Sequence, residues 1–209
     1  MSKPKSRNKG DPAATKSGAK WSPWRMLRAN WPYLVLALVV FVLASLAREY
    51  WLAPQSPQEA FLDEAKNGQA ALANVVTVPS RGHTHVPPGR TVDYGAWPPT
   101  SGDHDREPVD PGVYDQPQKP EQLVHSLEHG LIVIYVDDPG AAALDTLKAW
   151  VKLYRDPWAG IVVVPKPELG KGVVLTAWTR YLRLDPFDAP AAAAFIDAFR
   201  GRGPENPVR

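Results

Sequence analysis

Within the stretch HSLEHG, residues 125 to 130, His125 and His129 stand four positions apart with Glu128 between them. Two imidazoles at i and i+4 lie on one side of a helix, where they can grip one divalent cation. A glutamate in the H-x-x-E-H order can in addition activate a metal-bound water, so the same six residues admit hydrolysis as well as passive binding. Three further histidines, His83, His85 and His104, complete the chain's total of five, and all five lie between residues 83 and 129. The His83 and His85 spacing suits one side of a strand, and His104, in the loop sequence SGDH, could fold over the others.

Sulfur chemistry is absent from this region. The chain contains no cysteine, and its two methionines, Met1 and Met26, precede every histidine. Disulfides, thiolate nucleophiles and a soft Cu(I) site are thereby excluded. An imidazole set without sulfur suits Cu(II) or Zn(II), with the affinity order favouring copper where both are present. Each histidine also has a non-ligating reading. His83 and His85 could sit on an exposed loop, and His104, after Pro98, Pro99 and Gly102, could bond to backbone in a rigid turn. Leu123, Val124 and Leu127 already give residues 120–129 the apolar face of an ordinary short helix, with His129 at its negative end.

A peptidase of the inverted zinc type needs a downstream carboxylate ligand and a large clamshell around the substrate. Glu168 could supply the carboxylate, but Gly130 ends the helix at once and too little chain remains for the clamshell. Ser126 lacks the G-x-S-x-G elbow of a serine hydrolase. The sequence therefore argues against an enzyme, with a metal-dependent hydrolase built on Glu128 as the least favoured reading.

The elements that must position these groups begin beyond a membrane segment. Residues 30 to 47, NWPYLVLALVVFVLASLA, carry no charge, and with their flanks are long enough to cross a bilayer. Trp21, Trp24 and Trp31 on one side and Tyr50 and Trp51 on the other suit the interfaces. The first 50 residues hold nine Lys or Arg against Asp11 and Glu49, which favours a cytoplasmic N-terminus. Ser45, Leu46 and Ala47 would also pass as a signal-peptide cleavage site, and either reading exports the remainder of the chain. The expected order is a cytoplasmic basic tail over 1–30, a transmembrane anchor over 31–51, a stalk helix over 52–74 and an extracytoplasmic domain over 75–207. Beyond position 50 there are fifteen basic and twenty acidic residues, so no nucleic-acid-binding surface is expected.

The fold class expected is α/β: a single N-terminal transmembrane helix, then a small mixed-sheet domain. Ser56, Pro57 and Glu59 open the stalk helix by capping. Residues 73–80 read as a first strand, and 81–118 as a long functional loop rich in Pro, Gly, Asp and His. A helix from Pro120 to Gly130 precedes a buried strand over 131–136. Asp138 and Pro139 start the next helix, which ends near Tyr154. GIVVVP and GVVLTAWTR read as a hairpin of two strands, and a last helix covers 190–200. This β-α-β-α-β-β-α order is thioredoxin-like in its elements, with a ferredoxin-like sandwich as the alternative.

The segments HVPPG (85–89), PPTSGDH (98–104), GVYDQP (112–117), LVHSLEHG (123–130), LTAWTR (175–180) and FRGRGPENP (199–207) resemble a family of membrane-anchored bacterial proteins catalogued as domain of unknown function 3105. The resemblance covers residues 75–207. It implies motif positions at His85, His104, His125 and His129, with Glu128 between the last two, and leaves His83 outside. The expectation for function is a bacterial envelope protein anchored by 31–51, with a divalent metal, Cu(II) or Zn(II), held by His85, His104, His125, His129 and Glu128. Its role would be metal binding, delivery or maturation of an envelope protein partner. The alternative is a non-catalytic interaction module, with Trp97, Tyr114, Trp158 and Trp178 as its protein- or glycan-binding surface.

Overall fold

A computed structural model describes residues 23–52 and 56–209, with side chains from 31–51 and 56–209. Residues 1–22 of the expected basic tail, Trp21 included, lie outside the described residues. The chain separates into two units, Met1–Ala53 and Pro54–Arg209.

The first unit contains α1 (Pro23–Leu52), within which Trp31–Trp51 is long and apolar enough to cross a membrane. At 1.5 Å per residue its 21 positions span roughly 31 Å, about the hydrocarbon thickness of a bilayer. Its large apolar side chains are exposed on every face, as suits a helix whose solvent is lipid.

The second unit is a mixed α/β body. In chain order it runs α2 (Pro57–Asn67), a 3-10 turn (Gln69–Asn74), β1 (Val76–Thr77), β2 (Gly112–Val113), α3 (Pro120–His129), β3 (Ile132–Val136), α4 (Ala141–Leu153), β4 (Ile161–Pro165), β5 (Val173–Ala177), β6 (Arg180–Leu184) and α5 (Ala189–Phe199). The six strands form one sheet in the order β1-β6-β5-β3-β4-β2. β3 and β4 are parallel, joined by α4 as crossover, while β5 runs antiparallel to β3, and β5 and β6 form a hairpin.

Alternation along β3 assigns the two faces. Ile132, Ile134 and Val136 point to a core shared with Phe61 of α2, Leu147 and Trp150 of α4, and Phe195 and Ile196 of α5. Val133 and Tyr135 point the other way, to Leu123 and Leu127 of α3 and Val109 of the long loop. Three helices therefore cover one face of the sheet. α3 and the loop cover the other, and that second face carries all five histidines.

Several expected elements differ in detail. GVVLTAWTR is a strand, a turn at Trp178 and Thr179, and the start of a second strand, because Thr179 takes a positive φ of 61° that no strand sustains. The hairpin is thus β5–β6, whereas β4 and β5 both flank β3 and do not pair with each other. The expected first strand is reduced to the edge pair Val76–Thr77, antiparallel to β6, so it forms no crossover unit with β3. β2 and β6 are additional to the expected elements, and the body is the mixed-sheet α/β domain expected. α4 starts at Ala141 because Gly140 has φ 89°, which leaves Asp138 in a turn whose N–H donates to the Gly170 carbonyl.

The helix expected as a stalk packs into the body. Ser56 Oγ accepts the Glu59 N–H at 3.2 Å, capping α2, and Phe61 and Ala65 are buried against α4 and α5. Gly68 ends α2 where it meets α5: a Cβ there would lie 1.8 Å from the Pro190 carbonyl oxygen. Backbone cannot yield as a side chain can, so Gly68→Ala should destabilise the body by about 1–3 kcal/mol. Denaturant unfolding measures this, and a midpoint equal to wild type would contradict the packing.

Candidate metal centre

α3 is built to present its last turn. Pro120 occupies its first turn, and Leu123 and Leu127 seat it on the sheet. Gly130, with φ 102°, closes it in a Schellman motif: the Gly130 N–H donates to the Leu127 carbonyl and the Leu131 N–H to the Ser126 carbonyl, both at 3.0 Å. His125, Glu128 and His129 thereby sit on a rigid, capped turn. Ser126 is not a free nucleophile. Its Oγ accepts the Val109 N–H and donates to the Val109 carbonyl, both at 2.9 Å, tying the long loop to the helix.

The loop is ordered by its own backbone. The Gly102 N–H donates to Gly82 O, the His104 N–H to Thr84 O and the Val86 N–H to His104 O, so residues 82–86 run beside 102–104 like two parallel strands. Ring centroids of His85, His104 and His125 are each 4.9 Å from one another, and His129 is 4.6 Å from His125.

Tautomers are set by the partners. His104 Nδ1 donates to the Gly102 carbonyl at 2.8 Å and His125 Nδ1 to the Asp105 carbonyl at 2.8 Å. His129 Nδ1 faces the Pro157 carbonyl at 3.3 Å. Because a carbonyl can only accept, the proton of each neutral ring is on Nδ1 and the lone pair is on Nε2. His104 Nε2 is fully buried, makes no hydrogen bond, and lies 2.9 Å from Glu128 Oε2. That contact is an ion pair when the ring is protonated, and a cation would turn the same two atoms into a pair of ligands.

Among the described residues, two groups of donors could hold a metal ion. His85, His104, His125 and Glu128 form one, and His125, His129 and Glu205 the other, with the ligand atoms of each group within 4.8 Å of one another. The five sequence-nominated residues are thus gathered on one side of the sheet but divided between two groups that share His125. His83 belongs to neither, although its exposed Nδ1 lies 3.6 Å from Glu128 Oε1. Glu168 is exposed in the turn after β4 and also belongs to neither.

Glu205 was not nominated from sequence. It follows Pro204 in the C-terminal tail, which lies against the end of α3 through the Gly201 N–H to the Gly130 carbonyl at 2.8 Å. Gly203 permits this approach, since a Cβ there would stand 2.1 Å from the Glu128 carbonyl oxygen. Glu205 Oε2 is then 3.1 Å from His129 Nε2 and 3.8 Å from His125 Nε2. No spacing rule links a tail carboxylate to a helix so much earlier in the chain; the signals along the chain were the family segment FRGRGPENP that contains it and the glycines Gly201 and Gly203.

The four aromatic residues named for a partner surface do not act as one group. Trp158 stacks on His129, with ring centroids 4.0 Å apart, and Trp178 stands edge-on to His104 at 6.5 Å. Trp97 instead packs on Tyr135, and the Tyr114 hydroxyl donates to the Asp110 carbonyl.

A sheet covered on both faces, with histidines and carboxylates gathered where loop, helix end and tail meet, defines a small α/β domain with a candidate metal centre. Residues 85–209 match the family described as protein of unknown function DUF3105, and the chain belongs to that family. No curated protein and no solved structure matches it.

Burial pushes the His125 pKa down to about 4, with the neighbouring His129 and His104 adding to the effect and the bond to Asp105 opposing it. The unfolded chain, with His125 near 6.5, binds more protons between these two values, so stability falls as pH drops from about 6.5 to about 4. In chelator, denaturation midpoints should decline over that window more steeply for wild type than for His125→Gln. Equal slopes would contradict the assigned environment.

Proposed function

We propose that this protein is an envelope metal-binding protein whose inner group, His85, His104, His125 and Glu128, holds a divalent cation, Cu(II) or Zn(II). The observation that carries the reading is the buried His104 Nε2, which makes no hydrogen bond and lies 2.9 Å from Glu128 Oε2, close enough for both to ligate one cation. Three imidazoles and one carboxylate are a borderline donor set, suited to both metals, with copper favoured by intrinsic affinity. The metal would supply charge neutralisation of Glu128 and a fixed template for its ligands. The chain's own contribution is to hold the Nε2 atoms of His104 and His125 inward by anchoring each Nδ1 on a backbone carbonyl, which is the usual means of orienting a ligating histidine.

Residues 31–51 would anchor the protein in the bacterial cytoplasmic membrane, with residues 1–30 as a cytoplasmic tail and the α/β body outside. Support comes from the apolar helix and from the nine Lys or Arg in the first 50 residues. In that setting the metal centre serves binding and delivery, or maturation of an envelope protein partner. Nucleic acid is not a partner on this reading, because the body carries an excess of acidic residues.

Metal content decides the first part. Full-length protein purified in detergent should retain Cu(II) or Zn(II), and His104→Ala should lose most of it while His83→Ala keeps it. Glu128→Gln should weaken affinity by at least about 10-fold, the scale expected for losing a group that ligates or orients a ligand. Equal metal content in wild type and His104→Ala would refute the site. If instead the protein cleaves peptides or esters in a metal-dependent way that Glu128→Gln abolishes while metal remains, Glu128 is a catalytic base and the binding role is wrong.

Topology is tested separately. A reporter fused after Arg209 should be active only outside the cytoplasm, and cytoplasmic activity would reverse the orientation.

A further inference from the structure

We propose that His125 is a shared ligand that passes a divalent cation between two mutually exclusive positions: an outer loading position formed with His129 and Glu205, and the inner position formed with His85, His104 and Glu128. This rests on the metal-binding reading of the inner group and assigns a loading step to it.

The donor arithmetic requires the positions to alternate. His125 belongs to both groups, and its Nδ1 is committed to the Asp105 carbonyl. Nε2 is its one free lone pair, so it can bind one cation at a time. Two ions could not both hold a full set of ligands, whereas one ion could stay on His125 Nε2 while exchanging His129 and Glu205 for His85, His104 and Glu128. The rings it would travel between are adjacent, 4.6 Å from His125 on the outer side and 4.9 Å on the inner.

The groups differ in access and in completeness. In the inner group the side chains of His104 and Glu128 are 0% and 7% exposed, whereas in the outer group Glu205 is 42% exposed. A cation from solution therefore meets Glu205 before it meets Glu128. The outer group supplies three ligands and the inner one four. Three ligands leave a coordination position for water or for a donor on whatever molecule delivers the metal, as ligand exchange requires. Transfer inward completes the set with protein groups. His85 is also exposed, and a direct route through it is the competing path that the experiment must separate.

Two tryptophans report the positions independently, Trp158 stacked on the outer His129 and Trp178 edge-on to the inner His104. Full-length protein in detergent, stripped of metal and mixed rapidly with Cu(II), should lose tryptophan fluorescence in two phases. The first should scale with Cu(II) concentration and disappear in Trp158→Phe; the second should be independent of concentration and disappear in Trp178→Phe. Glu205→Gln should remove the fast phase and slow total loading by at least about 10-fold, and His104→Gln should remove the slow phase while the fast one remains. If Glu205→Gln loads Cu(II) at the wild-type rate, metal reaches the inner group directly and the shared-ligand step is wrong, although the inner site stands. If either substitution removes both phases, the donors form one site and the proposal fails. If wild type binds neither Cu(II) nor Zn(II), the metal reading itself fails and this step with it.

Discussion

The hydrogen bonds from histidine Nδ1 atoms to backbone carbonyls are the constraint on which the site depends. A free imidazole chooses between two tautomers and rotates about two bonds. Anchored on Gly102 and Asp105, the rings of His104 and His125 have one tautomer and one orientation each, and the bare nitrogens converge. Both carbonyls come from the same short stretch of loop, so the position of that stretch decides where both lone pairs point. The loop is in turn held by Ser126, by the pairing of 82–86 with 102–104, and by the buried Glu121 carboxylate, which accepts the Val92 N–H at 2.8 Å.

Such convergence is costly in the absence of a ligand. A buried polar atom without a hydrogen-bond partner costs about 1–3 kcal/mol. The surrounding fold is able to carry that cost because α3 is seated by Leu123, Val124 and Leu127, each nearly or wholly inaccessible to solvent, on the most protected strands of the sheet. The three-helix face opposite, with Phe61, Trp150 and Phe195, supplies core that involves none of the histidines. Stability and site thus reside on different faces of one sheet, which lets the polar cluster stay rigid while being individually unfavourable.

The placement of Glu128 bears on the choice between binding and hydrolysis. In a peptidase of the H-x-x-E-H type the glutamate must face a water that a metal held by the two helical histidines activates. Here Glu128 faces His104 from the loop, while the carboxylate beside His129 is Glu205 from the tail. The helical histidines share one donor group, with Glu205 from the tail as its carboxylate, while Glu128 belongs to the other. Of the aromatic residues named for a partner surface, Trp158 and Trp178 lie against histidines and Trp97 packs on Tyr135.

By itself the sequence determined the long apolar helix, the α/β class, the helix that ends at Gly130, and the gathering of histidines into one region. These arise from local properties: hydropathy over a window, periodicity, capping residues, and the chemistry of imidazole in a chain without cysteine. The same local reasoning missed β2 and β6, short strands whose existence depends on the neighbour each pairs with, β4 and β5. Tertiary structure alone decided that His85 and His104 would face His125, that the five nominated residues would divide into two groups, and that Glu205 would join one of them. Each of those outcomes turns on a backbone approach between distant segments, such as Gly203 against the end of α3. Approaches of that kind depend on the whole packing of the sheet and leave no periodic trace along the chain.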